Sequence, residues 1–450
     1  MRKRLFTLII ICGCLLMAIE CQNDGSEVIG EYIYFIGDDG THGSELWKTD
    51  GTEEGTVMVK DINSSGGSWP SYLTKKNGIL YFTADDGVHG RELWKSNGTE
   101  EGTVMVKDIN GSGSSYPGNL VELNGELFFA ADDGEHGSEL WKTDGTEAGT
   151  VMVKDINGSD GSNPYYFTEV NGAIFFIADD GEHGSELWKT DGTEAGTVMV
   201  KDINSININP YHLTEANGVL FFIAADMTHG RELWKSDGTE EGTGMVKDIN
   251  PESHSYPDDF FEMNGLLFFS ADDGTHGHEL WRSDGTEEGT VMVEDINISG
   301  SSMPRGFCEM NGLLYFIADG GIHGYELWKS DGTIEGTTVM VKDINGSGSS
   351  DPAYLTAIKG MLFFGADDGE HGRELWKSNG TEEGTVMVKD INDSGSSIYG
   401  YFSEVKGLLF FTANDGTHGY EPWKSDGTAT GTTMIKDINE GSGNGIPVMD

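Results

Sequence analysis

The sequence predicts an all-β protein, a β-propeller of nine four-stranded antiparallel blades, and three observations carry that prediction. Nine tryptophans (Trp47, Trp94, Trp141, Trp188, Trp234, Trp281, Trp328, Trp376 and Trp423) recur every 46, 47 or 48 residues, with no gap wide enough for a linker. Each period holds four short strand signals divided by turn residues. The second of these strands is apolar on both faces, so a unit needs a neighbour on either side and none can stand alone.

The unit from Tyr165 to Pro210 shows each element in order. Tyr166-Phe167-Thr168-Glu169-Val170 alternates as a strand does, and Asn171-Gly172 supplies a tight hairpin turn. Ala173 to Ala178 is the strand that must be covered on both sides. Asp179-Asp180-Gly181-Glu182-His183-Gly184 is a loop, and Glu186 to Thr190 a third strand. Asp191-Gly192-Thr193 turns the chain into a fourth, Thr197 to Ile203, before a crossing segment rich in Gly, Ser, Asn and Pro. An immunoglobulin-like array needs about 100 residues per unit and a β-helix about 20 per coil, so both fit poorly. Nine blades exceed the usual four to eight, which makes an open, curved stack of the same units the alternative.

The segment ELWKTDGTEAGT, Glu186 to Thr197, recurs with small changes in all nine units. It is similar to the signature of the ELWxxDGT repeat proteins, a family of bacterial secreted proteins. The departures are Pro422 for Leu in the last unit and Asn97 and Asn379 for Asp. The resemblance implies export and a tandem array, and no defined activity.

The N-terminus agrees with export. Arg2, Lys3 and Arg4 precede an uncharged stretch from Leu5 to Ile19, too short to span a bilayer and suited to a signal peptide over residues 1–20. Cys21 follows it and opens the polar run Gln22-Asn23-Asp24, an arrangement that resembles bacterial lipoprotein signals, although Glu20 stands where a small residue is usual. The expected mature protein is thus residues 21–450, acylated at Cys21 and held by lipid on the bacterial outer membrane or cell surface, or in the periplasm. With Cys12 and Cys14 inside the signal, only Cys21 and Cys308 remain, and there is no disulfide framework.

A formal charge of −48 repels nucleic-acid phosphates and anionic membranes, and favours cations or basic partners. Every unit repeats one histidine, from His42 to His418, and one glutamate before Leu-Trp. An enzyme needs one site and not nine, so this sameness points to a structural role, with the imidazole orienting its turn. Calcium is the one cofactor the residues suggest. Asp38 and Asp39, Asp85 and Asp86, Asp132 and Asp133, Asp179 and Asp180, Asp272 and Asp273, and Asp367 and Asp368 offer paired oxygen ligands beside glycines. No Gly-x-Ser-x-Gly elbow or phosphate loop is present, and no catalytic constellation can be assembled.

A unique ligand site is expected where the copies disagree. His212, His254, His278 and Arg305 are extra to the repeat, and Trp69, in the first crossing segment, is placed to stack on a sugar. The function that follows is a binding or scaffold module for a glycan, a basic protein or calcium. The rival is a glycan lyase or hydrolase working at the channel mouth, which requires His212, His254 and Arg305 to converge.

Overall fold

The computed structural model describes residues 26–158, 160–203, 209–226, 228–334 and 336–447. The signal segment, Cys21 and the Ser205-Ile206-Asn207-Ile208 stretch of the fourth crossing lie outside the described residues. The chain forms nine four-stranded sheets, each a simple antiparallel meander with its strands in chain order. Blade 4 is representative, with strands Tyr165–Val170, Ala173–Asp179, Ser185–Thr190 and Val198–Lys201. The first strand of each blade touches the first strand of the next all the way round, the ninth meeting the first. The stack is therefore a closed ring with the first strands around its axis, and the open alternative is not what forms.

The core lies between blades. Phe175, Ile177 and Leu187 of blade 4 pack against Leu220, Phe222 and Trp234 of blade 5, and the same set recurs between successive blades. This is why the second strand reads as apolar on both faces: five consecutive residues, Ile174 to Ala178, are buried. A fully buried side chain of this size contributes roughly 1.5–3 kcal/mol.

Two cationic staples reinforce most of the interfaces; Lys142 turns instead to Glu126, and Glu294 replaces the second lysine in blade 6. Lys48 Nζ donates to Gly98 O of the next blade at 2.7 Å, and Lys60 Nζ to Thr103 O at 2.8 Å while lying 5.9 Å from the Trp94 ring. The seam between blades 9 and 1 reproduces both, with Lys424 on Gly51 O at 2.6 Å and Lys436 on Thr56 O at 2.9 Å, over Trp47. Beyond the ninth blade, Asp38 N donates to Gly445 O at 2.8 Å, as Asp85 N donates to Ser68 O at 2.9 Å. Ile446 packs with Phe35, Trp47 and Ile438. The chain's last described residues thus repeat a crossing segment and cover blade 1.

Two local departures have simple causes. The fourth strand stops at Lys201, two residues short of expectation, because Ile203 N turns inward to donate to Glu186 Oε2 at 3.0 Å. In blade 9 the fourth strand shrinks to Thr433–Met434. Its neighbour Pro422 has no N–H to give the ladder and only accepts, from Ile435 N at 2.8 Å.

The candidate binding face at the channel mouth

Most of what repeats is scaffold. The glutamate before Leu-Trp is buried in each blade and ties the third strand to the crossing segment. Glu232, for example, accepts from Ser255 Oγ at 2.6 Å, Ser255 N at 3.0 Å and Ile249 N at 2.9 Å. Burial pushes its carboxyl up to about 7 despite these bonds, and does the same for Glu279, Glu374 and Glu421.

The repeated histidine also orients its turn. In the first unit Asp39 Oδ1 accepts from Thr41 N and His42 N, and Asp39 Oδ2 holds His42 Nδ1 at 2.7 Å. The imidazole is half exposed, and its bond to Asp39 raises its pKa. Blade 7 tests the rule: Gly320 replaces the second aspartate, and His323 Nδ1 turns to Asp343 Oδ2 at 2.8 Å. The first aspartate of each pair caps the same loop, Asp38 Oδ1 accepting Gly40 N at 2.8 Å. Asp85, Asp132, Asp179, Asp272 and Asp367 do likewise. The carboxylates suggested for calcium are thus spent on backbone N–H groups and imidazoles. Among the described residues no group of three or more His, Cys, Asp or Glu side chains is arranged to hold a metal.

The variable positions gather at one end of the ring. They are the residue before the crossing proline, the first two residues of the first strand, and the first residue of the third. In blade 2 these are Trp69, Ser71, Tyr72 and Arg91, joined by Arg91 Nη2 donating to Trp69 O at 2.7 Å and to Ser71 Oγ at 2.8 Å. The first strands of blades 2 to 8 bulge at their second residue, and that of blade 9 after it. That bulge puts Tyr72, Asn119, Tyr166, His212, Asp259 and Tyr354 in the left-handed region, where Gly306 and Gly400 serve blades 7 and 9. The residue before the proline is left-handed too, at Trp69, Tyr116, Asn163, Tyr256, Met303 and Asp351. Bulky side chains are rarely held there, and each such residue costs of order 1–3 kcal/mol. Trp69 and Tyr116, 57% and 67% exposed, recover little of it by packing.

Tyr166, His212, Asp259 and Tyr354 reach over the next blade. His212, with a side chain only 12% exposed, sets Nδ1 3.3 Å from Asp258 Oδ1 of blade 6. Its ring stands edge-on to Tyr166, Tyr211 and Phe260. Burial lowers its pKa, against the pull of Asp258. Asp259 accepts Gly306 N of blade 7 at 3.4 Å. Burial, aided by the charge of Asp258, pushes its carboxyl up to about 6, with Arg305 opposing. Arg305 lies over the Tyr325 ring at 3.9 Å.

His254 has a different duty: its Nδ1 accepts Arg231 N at 2.7 Å, where Ser114 Oγ accepts Arg91 N in blade 2. It stands in for a serine. His212, His254 and Arg305 are thus strung along blades 5 to 7, each on its own partner: Asp258, Arg231 N and the Tyr325 ring. Trp69 sits on the far side, in blade 2. His278 is half-buried beside Ser270 at 3.5 Å, and desolvation lowers its pKa. Cys308 is a half-buried free thiol.

Sequence reasoning overlooked Arg91, Arg231, Arg373, Tyr325 and Tyr420. The signal was there, because the residue just before the repeated Glu-Leu-Trp runs Ser, Arg, Ser, Ser, Arg, His, Tyr, Arg, Tyr through the nine units while its neighbours stay constant.

No protein-family model and no curated protein matches this sequence. Among solved structures the chain is similar to puromycin hydrolase, at 14% identity and a TM-score of 0.39, over 78% of this chain and 59% of that one. It is similar to oligopeptidase B from Leishmania major at 12% identity and a TM-score of 0.40, over 79% and 52%. The β-propeller domain of the Trilobed protease from Pyrococcus furiosus matches at 9% identity and a TM-score of 0.37, over 78% and 93%.

Proposed function

We propose that this protein is an exported binding propeller, carried on the membrane by a lipid at Cys21, which holds a glycan at its channel mouth. One observation carries the reading. Large aromatic side chains, Trp69 and Tyr116, are held in costly left-handed backbone on neighbouring blades and left exposed, with Tyr72 between them. The backbone there serves the crossing, Trp69 N and Tyr116 N donating to Ser44 O and Arg91 O, as Asn163 N does to Ser138 O with a small polar side chain; the exposed aromatic rings add nothing to that bond, whereas a sugar ring stacks on such faces. The polar atoms beside them belong to Arg91 and Ser71, which suit hydroxyl groups.

A glycan array probed with the mature protein, with and without calcium, tests the reading. Binding to a defined set of glycans, lost in a Trp69→Ala, Tyr116→Ala variant that melts normally, supports it. An array without signal, or binding that survives the double substitution, overturns it. Mass spectrometry of the mature N-terminus checks the lipid, and an unmodified start elsewhere than Cys21 removes that part alone.

A further inference from the structure

The described residues contain five arginines. Arg282 replaces a lysine staple, donating to Gly332 O at 2.7 Å. The other four, Arg91, Arg231, Arg305 and Arg373, lie within the first two residues of a first or a third strand and stand at the mouth. Arg91 binds Trp69 O and Ser71 Oγ. Arg231 lies over the Tyr211 ring at 5.4 Å and Arg305 over Tyr325 at 3.9 Å. Arg373 Nη2 donates to Asp351 O at 3.3 Å, and its Nε is buried with no partner.

In a chain of charge −48, guanidinium groups should find carboxylates easily. Among the described residues none of these four forms a salt bridge; the ion pairs involve lysines and histidines. The nearby acids are otherwise engaged, Asp258 with His212 and Asp259 with the Gly306 N–H. Four forks are thus kept at the variable mouth of the ring, two of them over aromatic faces and two on main-chain oxygens.

From this we infer that the glycan is acidic, and that Arg91, Arg231, Arg305 and Arg373 receive the carboxylates of its uronic acid residues. The inference rests on the glycan reading and narrows it. Guanidinium matches a carboxylate with two parallel N–H···O bonds, and its stacked plane is already ordered when the ligand arrives. The acidic surface does not forbid this. Charges are screened beyond about 8 Å at physiological ionic strength, so the mouth is governed by the groups within it. That surface does disfavour densely sulfated chains, whereas one carboxylate per sugar asks for one guanidinium at a time.

The test compares polygalacturonate, a neutral glucan, a heparin-type sulfated chain and polyglutamate against the full mature protein, an Arg231→Gln, Arg305→Gln variant and the Trp69→Ala, Tyr116→Ala variant. We expect polygalacturonate to bind best and to weaken as salt rises. The arginine variant should lose about tenfold or more in affinity while melting normally. Neutral glucan binding as tightly, with the arginine variant unchanged, overturns the uronate inference and leaves the glycan reading standing. Preference for the sulfated chain overturns the choice of carboxylate. Polyglutamate binding with no glycan bound at all overturns both.

Discussion

Each blade keeps a carboxylate out of water, and what that carboxylate does can be read from its bonds. Glu232 satisfies the N–H and O–H of Ser255 and the N–H of Ile249. Glu232→Ala would leave Ile249 N without its acceptor and Ser255 N and Oγ with Arg231 O alone, at 3.0 and 3.2 Å, and should cost about 1–3 kcal/mol in chemical denaturation. Glu232→Gln keeps one acceptor oxygen and should cost less; equal losses would mean that packing, not bonding, is the role of this side chain. Two tryptophans give a second contrast. Trp188 is buried between blades, and its replacement by alanine should cost about 3–5 kcal/mol. Trp69→Ala should move stability by no more than about 0.5 kcal/mol yet abolish glycan binding. Identical melting losses for the two would show Trp69 to be a structural residue.

At the scale of elements, the hairpin between first and second strands places its leading residue in the left-handed region in blades 2 to 9. Six blades use asparagine there, as at Asn171, and two use Lys359 and Lys406. Lysine pays the steric cost of that conformation without asparagine's local hydrogen bonds. Lys359→Asn should therefore stabilise by about 0.5 kcal/mol and Asn171→Ala destabilise by about 1 kcal/mol in urea titrations. Opposite signs are the point of the pair; a shared sign would remove the explanation. Asn-Gly turns, alternation and the doubly apolar second strand made the strand order and the hairpins legible from the sequence alone. The bulge in the first strand was not. The left-handed residue at the bulge is Tyr, Asn, Tyr, His, Asp, Gly, Tyr or Gly, which shares no chemistry and so shows no pattern until the backbone is seen. For the same reason the mouth was half legible: Trp69, His212 and Arg305 stood out as single oddities, whereas Arg91 and Arg231 read as ordinary solvated charges on a strand end.

Over the whole molecule, repetition turns small proton affinities into a large response. The glutamates have an ordinary value of 4.5, and burial raises four of them to about 7. The folded state therefore holds protons that the unfolded chain has released. This contribution is complete below pH 4.5 and is lost as pH rises towards 7. The turn histidines that bond the second aspartate of their own loop, such as His42 and His183, are raised above 6.5 by it; they are likewise stabilising below 6.5 and lose that effect as pH climbs. Their partner aspartates, held below 3.8, act oppositely and lose stability only as pH falls under that value. The melting temperature should accordingly peak near pH 5 and fall by about 5 °C or more by pH 8 at constant ionic strength. A flat or rising profile over that interval would show that the buried carboxyls are ionised at no cost. The closed ring has one further consequence. At eight interfaces the backbone itself crosses from blade to blade, and at the ninth the joint is noncovalent: the bonds of Gly445, Lys424 and Lys436, the Ser26–Ser403 and Lys406–Glu31 pairs, and the packing of Ile33, Val405, Phe410 and Ile446 hold the ends. The ring is thus a bracelet with a clasp: amides of blades 1 and 9 should exchange with deuterium first, tugging on both ends should part that joint before any other, and each blade exposed by the parting would present a finished face ready to pair with another opened ring.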